Sequence, residues 1–149
     1  MIVKAKEYLQ QLKRLDIIIK QKSKEVDDLR LKSKSTSSID YSRERVQTSP
    51  SGEAPFVKLI GHIVDLEAEI SQEINIFIDE KHKIINQIQA LNNSKYIEVL
   101  YKHYVEFKRL EVVAVEMDFT YQYTRELHGY ALQDFERTYK NLLKTYIWK

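Results

Sequence analysis

Four histidines are the residues of this chain best suited to chemistry near neutral pH, and they stand at positions 62, 82, 103 and 128. A helical metal site needs two such ligands three or four residues apart, and no two of these share that spacing. They read as surface histidines, with His82 set beside Glu80 and Lys81 on a solvated helix. The chain has no cysteine, which excludes disulfides, thiolate zinc sites and thiol nucleophiles. Its three glycines, Gly52, Gly61 and Gly129, are too far apart for a phosphate-binding loop. The carboxylate pairs Glu67/Glu69 and Glu111/Glu116 have no partnering base and occur on any charged helix face. No catalytic residue, metal ligand set or cofactor is expected, and the chain does not read as an enzyme.

The stretch from Leu110 to Leu132 carries a different kind of chemistry. Two short helices are predicted there, joined by Met117-Asp118-Phe119-Thr120. Ala114 supplies the small side chain that lets a second helix cross closely, and Thr120 is a good N-cap for that helix. Its first turns would expose Tyr121, Gln122, Arg125 and Glu126 while Thr124 and Leu127 face inward. In a helix-turn-helix those turns enter the major groove, where Arg and Gln read base edges and Thr or Tyr hydroxyls reach phosphates. Lys108 and Arg109, just before the first of the two helices, complete the candidate DNA-binding set. The same pattern also suits plain bundle packing.

These residues need elements to hold them, and the composition predicts that all are helical. Gly 3 and Pro 2 in 149 residues are too few for a turn-rich β fold. From Ala5 the positions Tyr8, Leu12, Leu15, Ile19, Lys22, Val26 and Leu29 alternate at three and four, the coiled-coil period, predicting a helix over about 3–33. Residues 34–55 are rich in Ser and Thr, contain Ser-Pro-Ser-Gly, and read as a loop. The repeat resumes at Phe56, Ile60, Ile63, Glu67, Ile70, Ile74, Phe77, Lys81, Ile84, Ile88 and Leu91, predicting a second helix over about 55–92. The two stripes pair either with each other, as an antiparallel hairpin, or between chains. After Asn92-Asn93-Ser94, three shorter helices are expected: one to about 106, one from near 109, and one from Thr120 to about 146. The predicted organisation is thus a coiled-coil hairpin arm over 1–92 and a helix-turn-helix unit with a helical tail over 93–149.

Charge is spread unevenly. Residues 1–53 net +4, residues 54–94 net −3 and residues 95–149 only +1, so no strongly basic segment independently argues for nucleic acid. The N-terminus has no apolar stretch of signal-peptide length and no segment reaches the ~18 apolar residues of a membrane span. The chain therefore reads as intracellular, with no membrane partner. Phe135, Tyr139, Leu142, Leu143, Tyr146 and Trp148 continue an apolar aromatic face into the tail. Such a face is expected to dock on the protein's own helices, since large apolar patches are seldom left exposed.

The stretch YIEVLYKHYVEFKRLEVVAVEMDFTYQYTRELHGYAL resembles the C-terminal end, similar to sigma-factor region 4, of a family of small phage proteins from Gram-positive bacteria. The resemblance rests on Leu100, His103-Tyr104, Val113-Ala114, Phe119-Thr120 and Leu127-His128-Gly129-Tyr130-Ala131-Leu132, and extends to KAKEYLQQLKRLDIIIKQKSKEVDDLR and RVQTSPSG near the N-terminus. It implies an ArpU/RinA-type late transcriptional regulator acting in the cytoplasm of a bacterial host. Double-stranded DNA and RNA polymerase would be its partners, with self-association through the coiled coil or the tail. The chain departs from the family's pattern at His103, where Arg is usual, and at Asp118, where the turn has Gly. Glu126 and Tyr130 also replace residues that are often basic. A non-enzymatic coiled-coil interaction or assembly protein is the competing reading, with the C-terminal helices as a cap on the arm.

Overall fold

A computed structural model describes residues 2–42 and 53–146, with side chains over 4–34 and 54–146. All regular structure among the described residues is helical. In order these are α1 (Ile2–Ser42), α2 (Glu53–Gln89), α3 (Ser94–Leu100), a π-helical turn (Tyr101–Val105), α4 (Leu110–Met117), α5 (Tyr121–Thr138) and α6 (Lys140–Thr145). No helix among the described residues is long and apolar enough to cross a membrane.

The expected loop over 34–55 is corrected at both ends. Helix α1 continues to Ser42 and α2 already begins at Glu53, while residues 43–52 lie outside the described residues. Positions 34–42 contain neither Gly nor Pro, and Ser or Thr costs a helix only about 0.5 kcal/mol per residue relative to Ala. Pro50 and Gly52, among the poorest helix formers of the stretch, come later in the sequence. Pro55 falls in the first turn of α2, where its missing N–H has no helical partner to lose.

The chain forms two compact units, residues 1–15 with 77–149, and residues 16–76. The units do not divide at 92, the boundary expected from the heptads. The start of α1 and the end of α2 belong with the C-terminal helices because their apolar residues share one core. Ala5, Tyr8, Leu9 and Leu12 are buried in it, with Ile84, Ile88 and Leu91, and with Val99, Leu100, Val113, Leu127, Ala131, Leu132 and Phe135. Gln87 is a polar anchor of this core. Its side-chain oxygen accepts from the Tyr8 hydroxyl and its carbonyl from the Tyr139 hydroxyl, both at 2.7 Å.

The tail packs on this same core. Leu143 is buried, and Tyr139, Leu142 and Tyr146 lie against it, with Tyr146 edge-on to Tyr8 at 5.1 Å. Trp148 lies outside the described residues. The single expected helix from Thr120 to about 146 is broken at Tyr139, whose backbone (φ −112°, ψ 33°) leaves the helical region. Its hydroxyl bond to Gln87 and its ring contact with Phe135 hold it there.

In the second unit, Val26 and Ile63 are the most buried side chains. Lys22 bonds Glu73 at 3.1 Å and Arg30 bonds Glu67 at 2.7 Å, so α1 and α2 run in opposite directions here. The interior row of α2 differs from the expected one. Ile60, Glu67 and Ile74 are exposed, whereas Leu59, Leu66 and Glu73 are half-buried. The seam thus runs Phe56, Leu59, Ile63, Leu66, Ile70, Glu73. Two apolar rows lie side by side on this helix, and the interior one avoids Glu67 and brings Glu73 to Lys22.

Candidate functional site

Helix α4 is short because its sequence, LEVVAVEM, ends on a residue that closes it. Asp118 adopts the left-handed conformation (φ 60°, ψ 44°), and the Phe119 N–H reaches back to the Ala114 carbonyl at 2.9 Å. This is a Schellman closure with Asp in the place usually taken by Gly. Asp tolerates the left-handed region because its short polar side chain can bond locally. Thr120 then opens α5: its hydroxyl oxygen accepts from the Tyr123 N–H at 3.1 Å. The carbonyl of Thr120 accepts from the Thr124 hydroxyl at 2.9 Å. Ala114, Thr124 and Leu127 are buried where α4 and α5 meet.

Tyr121, Gln122, Arg125 and Glu126 are all exposed on the first two turns of α5. Gln122, Arg125 and Glu126 line one open concavity of about 320 Å³. The Arg125 guanidinium lies 5.7 Å from the centre of the Tyr121 ring. Alongside, Phe119 and Tyr123 stack edge-to-face at 4.8 Å, and the Lys95 ammonium lies over both rings at 5.5 and 6.0 Å.

Lys108 and Arg109 fall elsewhere, in the linker before α4. Lys108 shares Glu116 with Lys102: the two ammonium groups lie 2.9 and 2.7 Å from its Oε1. Those hydrogen bonds lower the Glu116 pKa and raise that of Lys108. Arg109 is 83% exposed and pairs loosely with Glu111 at 3.5 Å. Both residues line a separate cavity of about 180 Å³ with Gln10, Lys13, His103, Tyr104 and Phe107. The structure therefore splits the seven sequence-derived residues: the α5 set is on one surface and the 108–109 pair on another cavity.

The linker comes after the π-helical turn, at a place where the sequence predicts only the end of an ordinary helix. The Glu106 N–H bonds the Tyr101 carbonyl five residues back at 3.0 Å, and the Lys108 N–H bonds the Lys102 carbonyl six back at 3.0 Å. Phe107 closes the turn at φ 59°. For a bulky residue that conformation costs about 1–2 kcal/mol, and here it sets the Phe107 ring beneath the Lys13 ammonium at 4.8 Å. π turns recur at functional sites.

The packing at this turn overturns the surface reading for two of the four histidines. His103 and His128, 25 positions apart, bring their rings to 5.1 Å. His103 Nδ1 lies 2.7 Å from the Lys108 carbonyl, which can only accept, so Nδ1 carries the proton. His128 Nε2 lies 2.7 Å from the Tyr104 hydroxyl. Burial, with lesser repulsion from His103 and Lys6, lowers the His128 pKa to about 4, and burial raises that of Tyr104. The neutral imidazole therefore accepts from the phenol. No local pattern in the sequence signals this pairing, since it depends on how α5 packs against the π turn. His62 and His82 are exposed, as expected. Among the described residues, no group of three or more His, Asp or Glu could hold a metal ion.

Compared with protein-family models, with curated proteins and with solved structures, the chain matches none of them.

Proposed function

We propose that this protein is a DNA-binding transcriptional regulator in which α4 and α5 form a helix-turn-helix and α5 is the recognition helix. The observation that carries the reading is the tight junction of α4 and α5. A left-handed Asp118 and a capping Thr120 join them, leaving Tyr121, Gln122, Arg125 and Glu126 outward on the first turns of α5. Those are the turns that meet base edges when such a helix lies in the major groove. Arg125 and Gln122 are suited to guanine and adenine respectively. The resemblance to ArpU/RinA-type regulators supports an activator of phage late genes in a bacterial cytoplasm, working with RNA polymerase. The α1–α2 pair acts as a coiled-coil arm for self-association or polymerase contact.

The test is binding to promoter duplexes from the parent genome over about 50–200 mM salt. Affinity falls with salt as phosphates release counterions. Arg125→Ala weakens binding by about 1–3 kcal/mol and relaxes preference at one base pair. A flat salt dependence together with an unaffected Arg125→Ala variant rejects the reading.

A non-enzymatic assembly protein is the second reading. It is favoured by one observation: Val57, Ile60 and Val64 form an exposed apolar row on α2, at 66, 38 and 58% exposure. Self-association that persists without DNA and is abolished by Val64→Glu, in a chain that binds no duplex, favours it.

A further inference from the structure

We propose that the cavity between the start of α1 and the linker before α4 is a binding site for a phosphate group. Three independent features converge there. Its lining brings Lys13, Lys108 and Arg109 together with Gln10 and His103, and no carboxylate side chain is among its walls as formed by the described residues. Its volume of about 180 Å³ admits a phosphate with part of an attached group. Its backbone is irregular, since the lining residues His103 and Tyr104 sit in the π turn and Phe107, two residues after it, is left-handed. Strain of that kind persists where surrounding structure holds it, and such outliers cluster at ligand clamps.

The electrostatics allow the site to be filled. The Phe107 ring, under the Lys13 ammonium at 4.8 Å, holds this cation at the cavity. Lys108 rests on Glu116 at 2.9 Å and near Glu106 at 3.5 Å, and Arg109 rests near Glu111 at 3.5 Å. Glu116 keeps Lys102 at 2.7 Å when Lys108 turns inward, so an incoming anion does not leave this carboxylate without a cation. Arg109, mostly exposed, is able to offer its planar fork to phosphate oxygens. The phosphate belongs either to a free or small-molecule phosphate or to the backbone of DNA. Only the second source rests on the DNA-binding reading.

The experiment uses the full chain and two probes. In the first arm, thermal unfolding is followed in inorganic phosphate and in chloride at matched ionic strength and pH 7. At a tenfold excess over Kd, phosphate raises the Tm by about 3–6 °C. Phosphate also stabilises proteins by exclusion from their surfaces, so the decisive quantity is the part of the shift lost in Lys13→Gln and Arg109→Gln. Both side chains are exposed, so neither substitution disturbs the core. A shift as large in both variants as in the wild type overturns the proposal.

In the second arm, duplex binding by Lys13→Gln is measured against salt. A slope smaller by about 0.9 identifies a backbone phosphate as the occupant. Unchanged duplex binding with a lost phosphate response identifies a free phosphate group. If the wild type binds no duplex, the transcriptional reading fails while the first arm still decides the pocket.

Discussion

His128 makes the first unit sensitive to pH. Its folded pKa, about 4, lies below the ~6.5 of an unfolded histidine. The unfolded chain therefore binds the extra proton first as pH falls. The stabilisation of the neutral ring is complete above about pH 6.5, is lost progressively toward pH 4, and totals roughly 3 kcal/mol. Urea midpoints at pH 7.5 and 4.5 should differ accordingly. His128→Phe should flatten that part of the difference, whatever it costs at neutral pH. Thr120 gives a second expectation at this scale. Thr120→Ala removes the acceptor for the Tyr123 N–H and should cost about 1 kcal/mol, with Thr120→Ser restoring most of it. The two residues also differ in how far the sequence announced them. A capping threonine acts on a backbone three positions away and is visible in a local pattern. His128 acts on Tyr104, 24 positions away, and its role comes only from packing.

Among elements, the α4–turn–α5 unit was largely legible because Ala114, Asp118, Thr120, Thr124 and Leu127 each carry a local reason for their place. Asp118→Gly should stabilise the unit by a few tenths to about 1 kcal/mol, since Gly reaches the left-handed region without strain; chemical denaturation measures this directly. Helices α1 and α2 were legible in kind but not in register. Ile60 and Leu59 are both apolar neighbours, and periodicity alone does not choose between adjacent rows. The pairing of Glu73 with Lys22 goes with the row that includes Leu59. Leu59→Ser should therefore destabilise more than Ile60→Ser, the reverse of the order that a stripe through Ile60 would give. A difference of about 1 kcal/mol in unfolding free energy separates the two registers.

At the scale of the whole molecule, helical content could be read from composition, whereas the division into units could not. Heptad spacing is continuous through 77–91, so nothing in it marks where α2 leaves one core and joins another. What marks it is chemistry far away in sequence: Tyr8, Gln87 and Tyr139 meet through two hydroxyl bonds on one glutamine. Tyr139→Phe removes one of these and leaves the Gln87 carbonyl without that partner, for a cost of about 1–3 kcal/mol. If the first unit folds cooperatively, the loss appears equally in signals from the tail and from the start of α1. A tail that melts separately would show that α6 is only an appendage.

The π turn at Tyr101–Val105 can also be counted as one residue too many. A π turn holds about one residue more than an α turn, here at the end of α3, and each residue of an α-helix advances the direction of the next side chain by about 100°. Tyr104 meets His128, and Lys102 and Lys108 meet Glu116, in the phase set by that extra residue. A chain shortened by one within 101–105 would keep its heptads and all but one of its residues. Yet it would turn the downstream residues of this segment away from their partners. Length, at this one place, is as specific as sequence.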